Sequence, residues 1–136
     1  MEKLTNYMTT IKKQVQKHMN DSLRPLNVTG AEAIFIKYLQ DNKKCRQSDL
    51  AKNLDCDKAY IHRVTTKLIE KEIIKINSQQ ELSLTAKGIK ISNHAQKAMS
   101  ECKKHLKQGI SEEEMSVAYN ILKKCAENSL KLNTEN

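Results

Sequence analysis

The chain has 136 residues, 38% of them hydrophobic and 29% charged, a balance that suits one soluble globular domain with a real core and excludes a disordered tract. Three Gly and one Pro leave little turn chemistry and favour helices, and a formal net charge of +8 points to an acidic polymer as partner. The longest apolar run is AIFI at 33–36, and the opening MEKLTNYMTTIKKQ holds no apolar core of signal-peptide length. A membrane span is therefore excluded and a cytoplasmic location expected.

Leu4, Met8, Ile11, Val15 and Met19 recur at helical spacing, so a first helix is expected over 3–22. It stops ahead of Pro25, because the residue before a proline is pushed out of helical geometry. Thr29-Gly30-Ala31-Glu32 has the form of a capping box. It opens a second helix expected to turn Ala31, Ile34, Phe35, Tyr38 and Leu39 inward. After the break DNKKCR, the segment QSDLAKNL reads as a short helix burying Leu50, Ala51 and Leu54.

The next stretch, DKAYIHRVTTKL at 57–68, has Asp55 or Asp57 as its cap. Ile61, Val64, Thr65 and Leu68 fall three and four apart and make one apolar stripe. Lys58, Tyr60, His62, Arg63, Thr66 and Lys67 are left for the other sides, and all of them donate hydrogen bonds or carry charge. The period then changes, and EIIKINSQQELSLT alternates as a small β-hairpin around 77–80. Thr85 caps a long helix bearing Ile91, Ala95, Met99, Cys102 and Leu106. Ser111 and Glu114 open a last helix with Met115, Ala118, Leu122, Cys125 and Ser129 on one side, and 132–136 read as a loose tail.

The expected fold is mainly α with a small β-hairpin wing, one domain over 1–136. Residues 28–90 form a winged helix-turn-helix lobe, and 1–24 and 91–132 supply flanking amphipathic helices. The lobe is too small to cover both flanking stripes, and such faces usually meet a second copy of the chain. Residues 43–90 hold 11 Lys/Arg against 6 Asp/Glu, a net +5 of the total +8. Charge thus gathers on the lobe.

In order and spacing, TGAEAIFIKYL, QSDLAKNLDCDKAYIHRVTTKLIEKEIIK and ELSLTAKG resemble the MarR family of bacterial transcriptional regulators. The matching positions are Leu50-Ala51 in the short helix, His62-Arg63 early in the next, Leu68-Ile69-Glu70-Lys71 at its end, and Leu84-Thr85-Ala86-Lys87-Gly88 after the wing. The resemblance covers 28–90 closely, and the flanking helices agree in length and placement.

What it implies is a homodimer held by Leu4, Met8, Ile11 and Val15 with Met115, Ala118, Leu122 and Cys125, binding double-stranded DNA and released by a small-molecule effector. One recognition helix per subunit would enter the major groove, and one wing the minor groove. The physical reading agrees, since a recognition helix needs an apolar back and a front of donors near its N-terminal half. Tyr60, His62, Arg63 and Thr66 are the candidate base readers; Lys43, Lys44, Arg46, Lys58 and Lys67 are the candidate phosphate contacts. The family's wing usually carries an Asp-x-Arg segment, whereas residues 76–86 contain no Arg or Lys. Asn77, Gln79 and Gln80 remain as amide readers of an A·T-rich minor groove.

Four cysteines lie far apart without a CxxC and are expected to be reduced thiols. Cys45, between Lys44 and Arg46 in a loop, is expected to be exposed, the most reactive, and a candidate redox site, because cations stabilise a thiolate. Cys102 and His105, with His94 and His18, have metal-ligand chemistry, but Cys102 falls on an apolar stripe, so no metal is expected. No cofactor and no enzyme activity are expected, since no Gly-rich phosphate loop, GxSxG or HExxH occurs. The alternative is a winged-helix dimer that has lost DNA binding and acts through protein contacts.

Overall fold

The computed structural model describes residues 1–134. The expectation of a loose tail falls partly on 135 and 136, outside the described residues. Six α-helices and one hairpin follow in the order α1 (Glu2–Leu23), α2 (Gly30–Asp41), α3 (Gln47–Asn53), α4 (Lys58–Glu70), β1 (Ile74–Ile76), β2 (Leu82–Leu84), α5 (Ala86–Leu106) and α6 (Glu112–Leu132). The chain divides into two compact units, Met1–Ser100 and Glu101–Asn136. Among the described residues no helix is long and apolar enough to cross a membrane.

In the first unit α1 ends just ahead of a single 3-10 turn, Arg24–Leu26, with Pro25 near its start. Thr29 and Glu32 close the capping box of α2: the Thr29 N–H donates to Glu32 Oε1 at 2.9 Å, and the Glu32 N–H donates to Thr29 Oγ1 at 3.1 Å. The core gathers Leu23 from α1, Phe35, Ile36 and Leu39 from α2, Leu50 from α3, Ile61 and Leu68 from α4, and Ile73 and Leu82 from the hairpin region. The inward face of α2 differs from the expected one. Glu32, Phe35, Ile36 and Leu39 are buried, while Ala31 and Ile34 are exposed and Tyr38 is half-buried. The unbroken run AIFI leaves the helical phase open, and Ile36 rather than Ile34 takes the core side.

The hairpin is antiparallel, pairing Ile74 with Leu84 and Ile76 with Leu82. Cys45 forms a one-residue bridge to Leu82: its N–H donates to Leu82 O at 3.2 Å, and the Leu82 N–H donates back to Cys45 O at 2.6 Å. Cys45 is buried, which overturns the expectation of an exposed thiol. Burial, assisted by the charge of Asp49, pushes its pKa up to about 11.

Thr85 starts α5 as expected, with Oγ1 accepting from the Gly88 N–H at 3.1 Å. Gly88 itself faces β1 so closely that a Cβ would collide with the Ile73 carbonyl oxygen. Ile91, Ser92 and Ala98 are buried along α5 and Met99 is exposed, a face shifted from the expected Ile91–Ala95–Met99 stripe.

In the second unit Cys102 is buried, whereas Leu106 is exposed, contrary to its place on the expected stripe. Ser111 and Glu114 form the predicted capping box of α6 at 3.0 and 3.1 Å. No residue of α6 is buried.

Candidate nucleic-acid interface

Helix α4 starts at Asp57, whose Oδ1 accepts from the Tyr60 N–H at 2.8 Å. The back of α4 buries Ile61, Thr65 and Leu68, with Val64 half-buried. His62, Arg63, Thr66 and Lys67 are exposed on the other sides, as is Lys58 in the first turn. The apolar back and donor front expected from spacing are therefore present on one helix.

Tyr60 is half-buried, unlike His62, Arg63 and Thr66. Its ring is half-buried against the core and meets Phe35 edge-on, with centroids 6.1 Å apart. The Arg63 guanidinium lies 5.8 Å from the same ring's centroid, within cation–π range. Tyr60 thus forms a shelf beside Arg63.

Lys43, Lys44 and Arg46 are exposed on either side of buried Cys45. The Arg46 N–H donates to Asp49 Oδ2 at 3.0 Å, which fixes the backbone where this loop enters α3. Among the described residues none of Lys43, Lys44, Arg46, Lys58, Arg63 and Lys67 is engaged in an ion pair. Their charge is presented to solvent.

The wing differs in how it uses its amides. Asn77 Oδ1 accepts from the Gln79 and Glu81 N–H groups at 3.0 and 2.9 Å, and Asn77 Nδ2 donates to Glu81 Oε1 at 3.0 Å. Gln80 completes the turn with φ +63°. Asn77 thus shapes the turn through both ends of its amide, and both it and Gln79 are exposed.

Sequence reasoning missed the pair that joins α4 to α2. Lys71 Nζ donates to Glu32 Oε1 and Oε2 at 2.9 and 3.0 Å and to the Asn27 carbonyl at 2.8 Å. Burial by itself raises the Glu32 pKa, but the hydrogen bonds and charge of Lys71 and the Thr29 amide outweigh it and hold the carboxyl below its ordinary value. Glu32 was legible as half of a capping box and Lys71 as part of a motif. Nothing local signals that they meet.

The stripes of the terminal helices have few cover residues. Leu4, Met8 and Ile11 on α1 are exposed and Val15 is half-buried; on α6 Met115 and Ala118 are half-buried, and Leu122 and Cys125 are exposed. Among the described residues no group of three His, Cys, Asp or Glu is placed to hold a metal ion. His94 Nε2 instead lies 3.0 Å from the Ser22 carbonyl.

No protein-family model matches this chain, and no curated protein matches it in sequence. Solved structures do. A MarR transcriptional regulator from Methanosarcina mazei Go1 is 21% identical with a TM-score of 0.79, covering 97% of this chain and 92% of that one. The MepR–DNA complex of S. aureus is 21% identical with a TM-score of 0.76, over 91% and 94% of the two chains. A mutant MarR from E. coli complexed with operator DNA is 19% identical with a TM-score of 0.74, over 90% and 92%. A likeness of this length and closeness, to a chain with six helices and one antiparallel hairpin among its described residues, means that this chain has the winged-helix fold of the MarR structures.

Proposed function

We propose that this chain is a cytoplasmic, non-enzymatic, MarR-type transcriptional regulator that binds double-stranded DNA. It acts as a homodimer and represses from a pseudo-palindromic operator until a small-molecule effector releases it. The observation that carries this reading is α4: a buried back of Ile61, Thr65 and Leu68 opposite an exposed front of His62, Arg63, Thr66 and Lys67. Arg63 suits bidentate recognition of guanine O6 and N7. Lys58, Lys67, Lys43, Lys44 and Arg46 suit phosphates, whose counterions they would release. Two of the similar structures hold DNA, which supports the same use of the fold here.

The dimer is supported by the uncovered stripes of α1 and α6, which a second copy would bury. A second reading has two observations in its favour. The wing tip carries no cation and Asn77 is spent on the turn, as suits a winged-helix dimer that contacts other proteins.

Selection of bound duplexes from a random pool with the purified chain tests these readings together. The regulator should enrich two inverted half-sites about one helical turn apart, roughly 10 base pairs, and lose affinity steeply as salt rises. A pool that stays random at low salt favours the protein-contact reading.

A further inference from the structure

We infer that Glu32 and Lys71 form a positioning lock that sets the attitude of α4, so that sequence discrimination depends on a pair that reaches no base. This rests on the proposed DNA-binding role of α4 and deepens it.

The geometry is that of a clamp. All three ammonium protons of Lys71 have partners, at Asn27 O, Glu32 Oε1 and Glu32 Oε2, and a lysine has no more donors to offer a phosphate. The side chains are 19% and 6% exposed. The same Oε1 that accepts from Lys71 also accepts from the Thr29 N–H. One carboxylate therefore closes the start of α2 and grips the end of α4.

Three further bonds make that end rigid. Lys87 Nζ donates to the Lys71 carbonyl at 2.8 Å. The Ile73 and Glu72 N–H groups return to Leu68 O and Ile69 O at 3.0 and 2.9 Å, a Schellman closure with Glu72 at φ +60°. Helix α2 holds α3 as well, through Asn53 Nδ2 donating to the Tyr38 hydroxyl at 2.8 Å. Both helices of the helix-turn-helix are thus referred to one beam.

A buried ion pair is a poor source of net stability, since desolvation offsets most of the attraction; fixing a single geometry is its better-attested use. Arg63 lies eight residues before Lys71, about 12 Å along the axis at 1.5 Å per residue. A tilt of about 5° at the locked end then moves Arg63 by about 1 Å, enough to spoil a two-pronged hydrogen bond.

The experiment uses the full chain with Glu32→Gln, Lys71→Met and Lys71→Arg. Glutamine still completes a capping box, so Glu32→Gln removes the charge while keeping the cap, and it carries the test if Lys71→Met fails to fold. Each variant is checked by thermal melting and titrated with the selected operator and with a scrambled duplex of equal length, at several salt concentrations. For Glu32→Gln and Lys71→Met the preference for operator over scrambled duplex should fall on the order of tenfold, within the range of one base contact. Scrambled binding and the salt slope should stay unchanged, and Lys71→Arg should retain most of the preference. Equal loss on both duplexes with a shallower salt slope would make Lys71 a phosphate contact and overturn the lock. Folded variants with undiminished preference would overturn the lock and leave DNA binding standing. Wild-type protein that binds no duplex would remove the DNA reading, and the lock with it.

Discussion

Helices α4 and α6 are built alike and end differently. Each opens with a side-chain cap, Asp57 or Ser111, and each carries an apolar stripe at helical spacing. Yet α4 buries Ile61, Thr65 and Leu68 in its own chain, while α6 buries nothing. An amphipathic pattern therefore records that a helix has a face to hide, not where that face goes. Where the stripe is satisfied internally, the opposite side is left for a ligand. Where it is not, as on α6, the proposed function gives the stripe to a second copy of the chain.

The sharpest way to break this comparison is to cut into both stripes. Leu68→Ala removes a side chain that is 0% exposed and should cost about 2–5 kcal/mol in urea unfolding, at any protein concentration. Leu122→Ala, at 44% exposure in one chain, should instead lower stability in a concentration-dependent way, as expected when the stripe is covered by a second copy. A Leu122→Ala loss that ignores concentration would break the contrast.

The front of α4 can be ranked against the wing. Arg63→Ala should weaken operator binding by about 1–3 kcal/mol, and Gln79→Ala by less, since residues 76–86 hold no cation to release counterions. Titrations giving the reverse order would move recognition from the helix to the hairpin.

Acid tests what anchors α4. The folded-state pKa of Glu32 is lowered, so its contribution is present above the ordinary carboxylate value and is lost as pH falls through the folded one. Unfolding free energy measured from pH 7 down to pH 3 should drop more for wild type than for Glu32→Gln. Parallel curves would show that the pair contributes no pH-linked stability.

The smallest effect concerns the back of α4. Thr65 is 1% exposed, and its Oγ1 has no hydrogen-bond partner, a buried hydroxyl at a cost. Thr65→Val should raise stability by about 1 kcal/mol, read as a higher urea midpoint at constant slope. A loss would mean that the hydroxyl is satisfied.

These contrasts also mark what was legible in the residues. The capping boxes at Thr29 and Ser111, the Asp57 cap and the α4 stripe are local, because bonds three residues apart and a repeat of three to four determine them. The phase of α2 was misread because the run AIFI satisfies more than one phase; only Leu23, Ile61 and the rest of the core decide that Ile36 goes in. The placement of Cys45 was misread for a different reason. Its neighbours argue for an exposed thiolate, whereas the bridge to Leu82 joins residues 37 positions apart. The Glu32–Lys71 pair spans 39 residues, and each residue had a sufficient local explanation without the other. The MarR resemblance supplied the order of elements, but not these contacts.

The Cys45–Leu82 bridge has a consequence for the timing and cost of an encounter with a polyanion. By pairing Cys45, in the middle of the basic loop, to the wing through both its N–H and its carbonyl, it ties down the backbone between Lys44 and Arg46 in the free protein. Ordering a residue's backbone costs roughly 1–2 kcal/mol, and here that ordering precedes any partner. A duplex meeting this edge under the proposed function would have only side-chain rotamers left to immobilise, about 0.5–1.5 kcal/mol each. The cations would arrive as a pre-aligned row, and capture would be limited by diffusion and orientation, not by a loop that must first find its shape.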